Sequence, residues 1–309
     1  MPLLKERPMK PCKGMVFQIQ RWSIHDGEGV RSTVFFKGCP LRCRWCANPE
    51  SWSSAPEIFY FQERCISCGR CAAGCQVGAN SLNDGSLSFD RAKCAGCSAC
   101  TTICPTGARK KMGSVMTIEE VMKVIKRDAV FYRESGGGVT FSGGEPFMQL
   151  GFLRELVLAC SRIGIDTAVE TCGYFDWGKA KDIIALLDGV FVDIKHMDDR
   201  IHQKVTGVSN VPILENVIRI AELQPNTIVR VPLIEEMNAS EKNIRAMCEF
   251  IKQHTKVKGV ELLPYHHLGE PKHNAKGELC QVFTTPDAEK IAAMKEIITS
   301  YGIVIADYQ

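Results

Sequence analysis

Gly38-Cys39-Pro40-Leu41-Arg42-Cys43-Arg44-Trp45-Cys46 sets three cysteines in a C-x3-C-x2-C spacing, and the next cysteine, Cys65, comes only after 18 further residues. A [4Fe–4S] cube has four irons, each needing a ligand, and a protein normally offers four thiolates. Three thiolates on one short loop hold three irons and leave the fourth open to a small molecule, so the cube becomes a reagent rather than a pin. Short cysteine spacings also suit zinc, and on this loop alone zinc stays open.

Downstream, Cys65, Cys68, Cys71 and Cys75 are followed by Cys94, Cys97, Cys100 and Cys104, each 29 positions after its counterpart. Four equal offsets mark an internal duplication. Both runs read C-x2-C-x2-C-x3-C, and the second closes with Pro105, the bacterial ferredoxin pattern. Gln76 stands where the first run would carry its proline. In two-cluster ferredoxins the fourth cysteine of each run ligates the other cluster. One expected set is therefore Cys65, Cys68, Cys71 and Cys104, and the other Cys94, Cys97, Cys100 and Cys75. Fully ligated by thiolate, both sites suit electron transfer; the competing reading is two structural zinc sites.

Of the 16 cysteines in 309 residues, 11 fall between Cys39 and Cys104 in these spacings, which argues against a secreted disulfide framework. Cys12, Cys160, Cys172, Cys248 and Cys280 are scattered and read as small buried hydrophobes. So many iron-bound thiolates demand a reducing, low-oxygen setting. A formal net charge of +3 gives no footprint for nucleic acid. No apolar run reaches the roughly 18 residues that span a bilayer, and Met1-Pro2-Leu3-Leu4-Lys5-Glu6-Arg7 lacks the apolar core of a signal peptide. The expected location is the cytoplasm.

Outside the cysteine-rich segment, strand and helix patterns alternate. Strands are expected at 33–37, 138–141, 167–170, 190–193, 227–232 and 260–263, with a short one at the C-terminus. Helices are expected at 117–134, 150–163, 179–187, 213–223, 241–254 and 286–301, the first opened by Thr117 with a capping box to Glu120. Alternation of this kind implies parallel βαβ units whose site lies at the C-terminal strand ends. The candidate residues sit there: Cys39, Gly143, Glu170, Asp193, Arg230 and His266. The expected fold class is α/β, with residues 1–51 and 113–309 forming one discontinuous domain. Residues 52–112 form a ferredoxin-like two-cluster insertion.

The cysteine loop resembles the signature of the radical S-adenosylmethionine (SAM) superfamily. Further motifs resemble those of its glycyl radical enzyme activating enzymes, the subgroup with a two-cluster insertion. Ser142-Gly143-Gly144-Glu145-Pro146 is similar to the GGE(P) motif that receives the methionyl amine of SAM; taken alone it reads equally as a strand-to-helix turn. Glu170-Thr171 and Asp193-Ile194-Lys195 are similar to positions that organise the SAM carboxylate through a lysine or a monovalent cation; the plain reading is an exposed charged loop. Leu263-Pro264-Tyr265-His266 is similar to the LPYH loop near the SAM ribose, with His267 facing solvent. Trp45 and Ala47 flank Cys46 and join the SAM pocket by the same resemblance, Trp45 as an aromatic face for adenine.

Upstream, Asp26-Gly27-Glu28-Gly29-Val30-Arg31 resembles the family's DGPGIR segment, which implies that Asp26, Gly27 and Arg31 meet the partner's glycine loop. Here Glu28 replaces the usual proline, and Ala47 stands where histidine is frequent. The resemblance runs from about Gly14 to Tyr301. It implies a partial (β/α)6 barrel, three [4Fe–4S] clusters and a flavodoxin or ferredoxin donor. It implies reductive cleavage of SAM to a 5′-deoxyadenosyl radical, which takes a Cα hydrogen from one glycine of a partner dehydratase, decarboxylase or lyase. The alternatives are a radical SAM peptide maturase with auxiliary clusters and a non-catalytic iron–sulfur electron-transfer protein.

Overall fold

The computed structural model describes residues 12–308. Residues 1–11, on which the reading of the leader rests, and residue 309 lie outside the described residues. Along the chain run β1 (Lys13–Ser23) and β2 (Arg31–Phe36). Then come β3 (Glu57–Tyr60), β4 (Asn80–Asn83), β5 (Ser86–Phe89) and β6 (Arg109–Met112). The remaining strands are β7 (Ser114–Thr117), β8 (Gly138–Gly143), β9 (Asp166–Thr171), β10 (Gly189–Asp193), β11 (Thr227–Leu233) and β12 (Gly259–Pro264).

Eight of these form one sheet in the order β12-β11-β10-β9-β8-β2-β1-β7. From β2 to β12 every neighbouring pair is parallel. These six strands are the six that the alternating pattern predicts. Their apolar runs (Val-Phe-Val in β10, Ile-Val-Arg-Val in β11) are nearly continuous because helices cover one face and packed interior side chains the other. Val139, Phe141, Val169, Val192 and Val229 are wholly buried in one core with Leu153, Leu156, Ile183, Val217 and Ile244 of the surrounding helices.

The structure departs from the sequence reading in three places. β1 and β7 add an antiparallel edge, β1 pairing with both β2 and β7; neither follows the strand–helix alternation on which the sequence reading rests. The helix expected over 117–134 opens with the expected Thr117–Glu120 capping box but breaks into Ile118–Ile125 and Ala129–Ser135. At the break Asp128, fully buried, turns its carboxylate to Arg21 Nε (2.8 Å), Ser32 Oγ (3.1 Å) and Trp22 Nε1 (3.3 Å), tying the helix to the antiparallel edge. The short C-terminal strand reduces to a single parallel bridge, Val260 to Ile305.

Within the cysteine-rich segment the 29-residue repeat is structural as well as sequential. β3 and β4 recur as β5 and β6 at the same offset, and β3 pairs with β6 while β4 pairs with β5. Each half thus lends a strand to the other, which is why neither stands alone. Left-handed backbone recurs too, Ser67 and Gly69 matching Gly96 and Ser98 between the cysteines. Successive backbone N–H groups in such turns form anion-holding concavities suited to iron–sulfur sites. The segment docks on the main domain through Phe59, Phe61 and Met112 against Ala275, and through Lys37 Nζ to Glu57 at 3.0 Å.

Candidate active site

At the C-terminal ends of the parallel strands lies a cavity of about 540 Å³. The loop after β2 brings Cys39, Cys43 and Cys46 to its wall, with Trp45 and Ala47 beside them. β8 brings Ser142, Gly143 and Gly144; β9 brings Glu170 and Thr171; Asp193 and Lys195 come from the end of β10, Arg230 from β11 and His266 from the loop after β12. Six strands thus converge on one mouth.

The cysteine loop is held from three sides. Its Arg42 and Arg44 amides donate to Thr206 O (2.7 Å) and Val205 O (3.0 Å) at the end of the helix Asp199–Thr206. On the far side, Cys46 O lies 3.0 Å from His273 Nε2, and Lys272 Nζ reaches Ala47 O at 3.0 Å and Glu50 at 2.8 Å. Both come from the helix Glu270–Lys276 that follows the LPYH loop, so that motif braces the cysteine loop as well as lining the cavity. On the third side Glu145 N donates to Gly38 O at 2.8 Å, and a Cβ on Gly144 would fall 2.2 Å from the same oxygen. Glycine at 144 is required for that approach.

The Glu145 carboxylate is held behind the cavity wall by Thr171 and Cys172, which themselves line the cavity. It is wholly buried, taking bonds from Phe147 N (3.1 Å), Thr171 Oγ1 (2.7 Å), Cys172 N (2.9 Å) and Cys172 Sγ (2.9 Å). Burial pushes this carboxyl above its ordinary value, against those hydrogen bonds. Glu145 therefore ties the loop after β9 to the Gly143-Gly144 turn. The Ile194 side chain is buried in the core, because neighbours along an extended chain face opposite ways and Asp193 and Lys195 take the cavity side.

Charged side chains from four adjacent strands fill the floor. Arg230 pairs with Glu170, and its Nε lies 2.6 Å from Glu261. Ser142 Oγ donates to Glu170, and the Arg230 guanidinium covers the Phe191 ring at 4.0 Å. Lys195 Nζ lies 2.7 Å from Asp193; burial works against its charge, but Asp193 and the nearby thiols outweigh this and raise its pKa. A hydrogen bond from Cys172 holds the Cys39 thiol below its ordinary value, whereas burial pushes Cys43 up and Cys46 to about 11.

The DGxG segment divides between the two ends of the strands. Asp26 lies at the cavity floor, bonded by Thr33 Oγ1. Gly27 and Arg31 lie apart from the mouth, lining a separate small cavity with Glu28 and Asp166. Arg31 begins β2, and six residues at about 3.3 Å each put it roughly 20 Å from the cysteine loop. It is buried there, 2.7 Å from Asp166 and 2.8 Å from Thr140 Oγ1. Glu28 is on the same lower rim, 3.1 Å from Lys258. As expected, His267 is exposed, bonded to Glu270.

Of the further residues at the site, Glu261 lies outside the motifs, while His25 and Cys172 lie within them without an assigned role. His25 O accepts from Arg230 at 3.1 Å, Glu261 completes the floor, and Cys172 lines the cavity beside Cys39. Glu261 has a legible signal, an acid inside an apolar strand opposite Arg230 in register; Cys172 follows directly on Glu170-Thr171.

The residues fit iron–sulfur groups. Three loop thiols share one roomy cavity, and in the insert a second, smaller cavity is lined by Cys65, Cys68, Cys71 and Cys104 together, three from one run and the fourth from the other. The fourth cysteines are prepared alike. Burial works against Cys75 and Cys104, yet backbone amides two, four and five residues ahead (Val77, Ala79 and Asn80; Thr106, Ala108 and Arg109) hold both thiols below their ordinary value. Among the described residues, no three His, Cys, Asp or Glu side chains converge as they would on a single ion.

Residues 91–248 match the Radical SAM superfamily, residues 64–108 a 4Fe-4S dicluster domain and residues 25–71 a 4Fe-4S single cluster domain. The chain is 43% identical to the isethionate sulfite-lyase activating enzyme of Oleidesulfovibrio alaskensis, over 85% of this chain and 87% of that one. It is 42% identical to the (2S)-3-sulfopropanediol dehydratase activating enzyme of Klebsiella oxytoca, over 85% and 86%. Identity to the 4-hydroxyphenylacetate decarboxylase activating enzyme of Clostridioides difficile is 38%, over 95% and 96%. The chain belongs to the radical SAM superfamily and, within it, to the activating enzymes of glycyl radical enzymes.

Proposed function

We propose that the cavity binds SAM against a [4Fe–4S] cluster held by Cys39, Cys43 and Cys46. When bound, that pair supplies a 5′-deoxyadenosyl radical, the oxidant for a glycine Cα–H bond of a partner enzyme. The observation that carries this reading is the convergence of three cysteine thiols and residues from six parallel strands on one cavity. The six strands correspond to a partial (β/α)6 barrel built from residues 1–51 and 113–309, with 52–112 inserted as the two-cluster domain.

In this reading the chain's own residues position and exclude. Lys195, kept charged by Asp193, or a monovalent cation gathered by Asp193, meets the SAM carboxylate. The Gly143-Gly144 backbone admits the methionyl end closely, and Ser142, Glu170 and Thr171 define that side of the pocket. Arg230, clamped between Glu170 and Glu261, holds Glu170 in place. Trp45 and His266 enclose the nucleoside, and Ala47 leaves room beside Cys46. Asp26 marks the depth to which a partner's loop enters.

The insert holds two more clusters, on Cys65, Cys68, Cys71 and Cys104 and on Cys94, Cys97, Cys100 and Cys75, making three in all. A cytoplasmic flavodoxin or ferredoxin supplies the electrons. The partner is a dehydratase, decarboxylase or lyase of the kinds named for the relatives. No helix of the described residues is long and apolar enough to cross a membrane.

The test is anaerobic reconstitution, reduction with dithionite and addition of SAM, with 5′-deoxyadenosine followed by chromatography. Product is expected from the native chain and none from Cys43→Ala. Iron-loaded native protein that makes no product would refute the reading.

A further inference from the structure

Arg109 is 2% exposed, and its Nε and both terminal nitrogens have no hydrogen-bond acceptor among the described residues. Its guanidinium is stacked between two rings, 3.8 Å from the centroid of Tyr60 and 4.4 Å from that of Phe89. Tyr60 and Phe89 are themselves counterparts in the 29-residue repeat. Ring faces attract a cation, but they leave all five N–H donors unmet, and a buried charge persists only where an anion or several acceptors answer it. Nearby Arg91 has such acceptors, the carbonyls of Ile58 (2.8 Å) and Ala275. Glu57, on the strand paired with that of Arg109, is committed to Lys37.

What Arg109 faces instead is the cavity lined by Cys65, Cys68, Cys71 and Cys104. Its position there is five residues after Cys104. The repeat counterpart, five residues after Cys75, is Asn80, whose side chain lies against the Cys75 thiol. The two cysteine sites match in ligands, backbone and turn amides but not in cations. Buried Arg109, with no acceptor among the described residues, lines the first, and Asn80 stands at the equivalent place in the second. Arg91, which feels the charge of Cys94 at the second site and has Gln62 as its counterpart, already spends donors on carbonyls.

We infer that Arg109 is the counter-charge and hydrogen-bond donor of the cluster at Cys65, Cys68, Cys71 and Cys104, and that it makes this the higher-potential member of the pair. The inference rests on the proposed reading that the eight cysteines hold two clusters. A four-thiolate cluster is anionic, and one-electron reduction adds a further negative charge. A cation and N–H donors in a site shielded from water stabilise the reduced form more than the oxidised one, which raises the potential. Asn80 offers the other site no charge. The field of Arg109 also reaches Cys100 of that site, so its effect is a difference between the two rather than confined to one. An electron passed to the insert by an external one-electron donor accordingly rests at the Arg109 site.

The test is a redox titration followed by electron paramagnetic resonance on the full chain carrying Cys39→Ala, Cys43→Ala and Cys46→Ala, so that only the insert clusters titrate. Two unequal one-electron waves are expected. Arg109→Gln should lower the upper wave by at least tenfold in its equilibrium constant, about 59 mV for one electron, and move the lower wave less. Arg109→Lys, which keeps the charge, should restore most of the shift. Unchanged waves in a fully loaded Arg109→Gln chain would overturn the inference. So would an Arg109→Lys shift as large as that of Arg109→Gln, since the stack and not the charge would then be responsible. Should Arg109→Gln not retain its clusters, Asn80→Arg decides: it should raise the lower wave, and no movement overturns the inference. Iron and sulfide content of the parent chain is read first. Less than two clusters there refutes the two-cluster reading itself, a failure distinct from a loaded chain with unshifted waves.

Discussion

The main sheet and the cysteine insert reach order by opposite means. Around β8 to β12 the core is a continuous apolar mass in which Leu153, Leu156, Ile183, Val217 and Val229 are wholly buried. In the insert, the corresponding cluster is Ile58, Leu87, Cys71 and Cys100, so half of its fully buried side chains are cysteines. A segment of about 60 residues with so little apolar surface to bury lacks the means to offset its chain entropy, and small domains of this kind need a staple. The insert's staple is the same group that gives it a function. The rest of the chain, by contrast, buries a large apolar core and carries its three candidate cluster ligands on one loop.

The largest effect should come from withholding iron. Hydrogen exchange on metal-free protein is expected to show residues 57–112 exchanging as open chain while β8 to β11 stay protected, because ligand binding and folding are one free energy in the insert. Protection of the insert without iron would erase the contrast. Next, Leu156→Ala should cost about 2–5 kcal/mol of main-domain stability in denaturant titration, by the same amount with and without iron. An iron-dependent cost would mean that the two regions are thermodynamically one.

Gly144→Ala acts where they meet the cysteine loop. Its Cβ would stand 2.2 Å from Gly38 O, so about 1–3 kcal/mol is expected from forced displacement, with weakened SAM binding by calorimetry and the insert clusters unchanged in number. The smallest effect is at Asp128. Hydrogen bonding from Arg21 leads the causes that hold its carboxyl below the usual range, burial opposing. Its stabilisation is therefore complete above its ordinary pKa near 3.8 and is lost as pH falls through the lowered value. Asp128→Asn should cost about 1 kcal/mol at neutral pH and flatten the acid limb of the stability profile.

Much of this molecule is legible in its sequence. The parallel strands announce themselves because both faces are covered, so the apolar runs need no tertiary information. The cysteine runs do the same because cluster geometry fixes ligand spacing along the chain, and Cys104 indeed lines the cavity of Cys65, Cys68 and Cys71. Motif resemblance brought Ser142, Gly143, Gly144, Glu170, Asp193, Lys195 and His266 to one cavity. Residues of one motif can nonetheless part company in space. Glu145 is buried under the β9 loop, Ile194 faces the core, and Arg31 sits a strand length below Cys39.

The amino-acid sequence by itself therefore determined the succession of the six parallel strands along the chain, the duplicated cysteine unit and the list of groups available for chemistry, since each is a matter of spacing along one chain. Tertiary structure alone decided which of those groups face a common cavity and which charges are left unanswered. Glu261 reaches Arg230, Asp128 breaks a helix to reach Arg21, and Arg109 is stacked between two rings with no acceptor among the described residues, because strand register and packing, not proximity in sequence, set those distances.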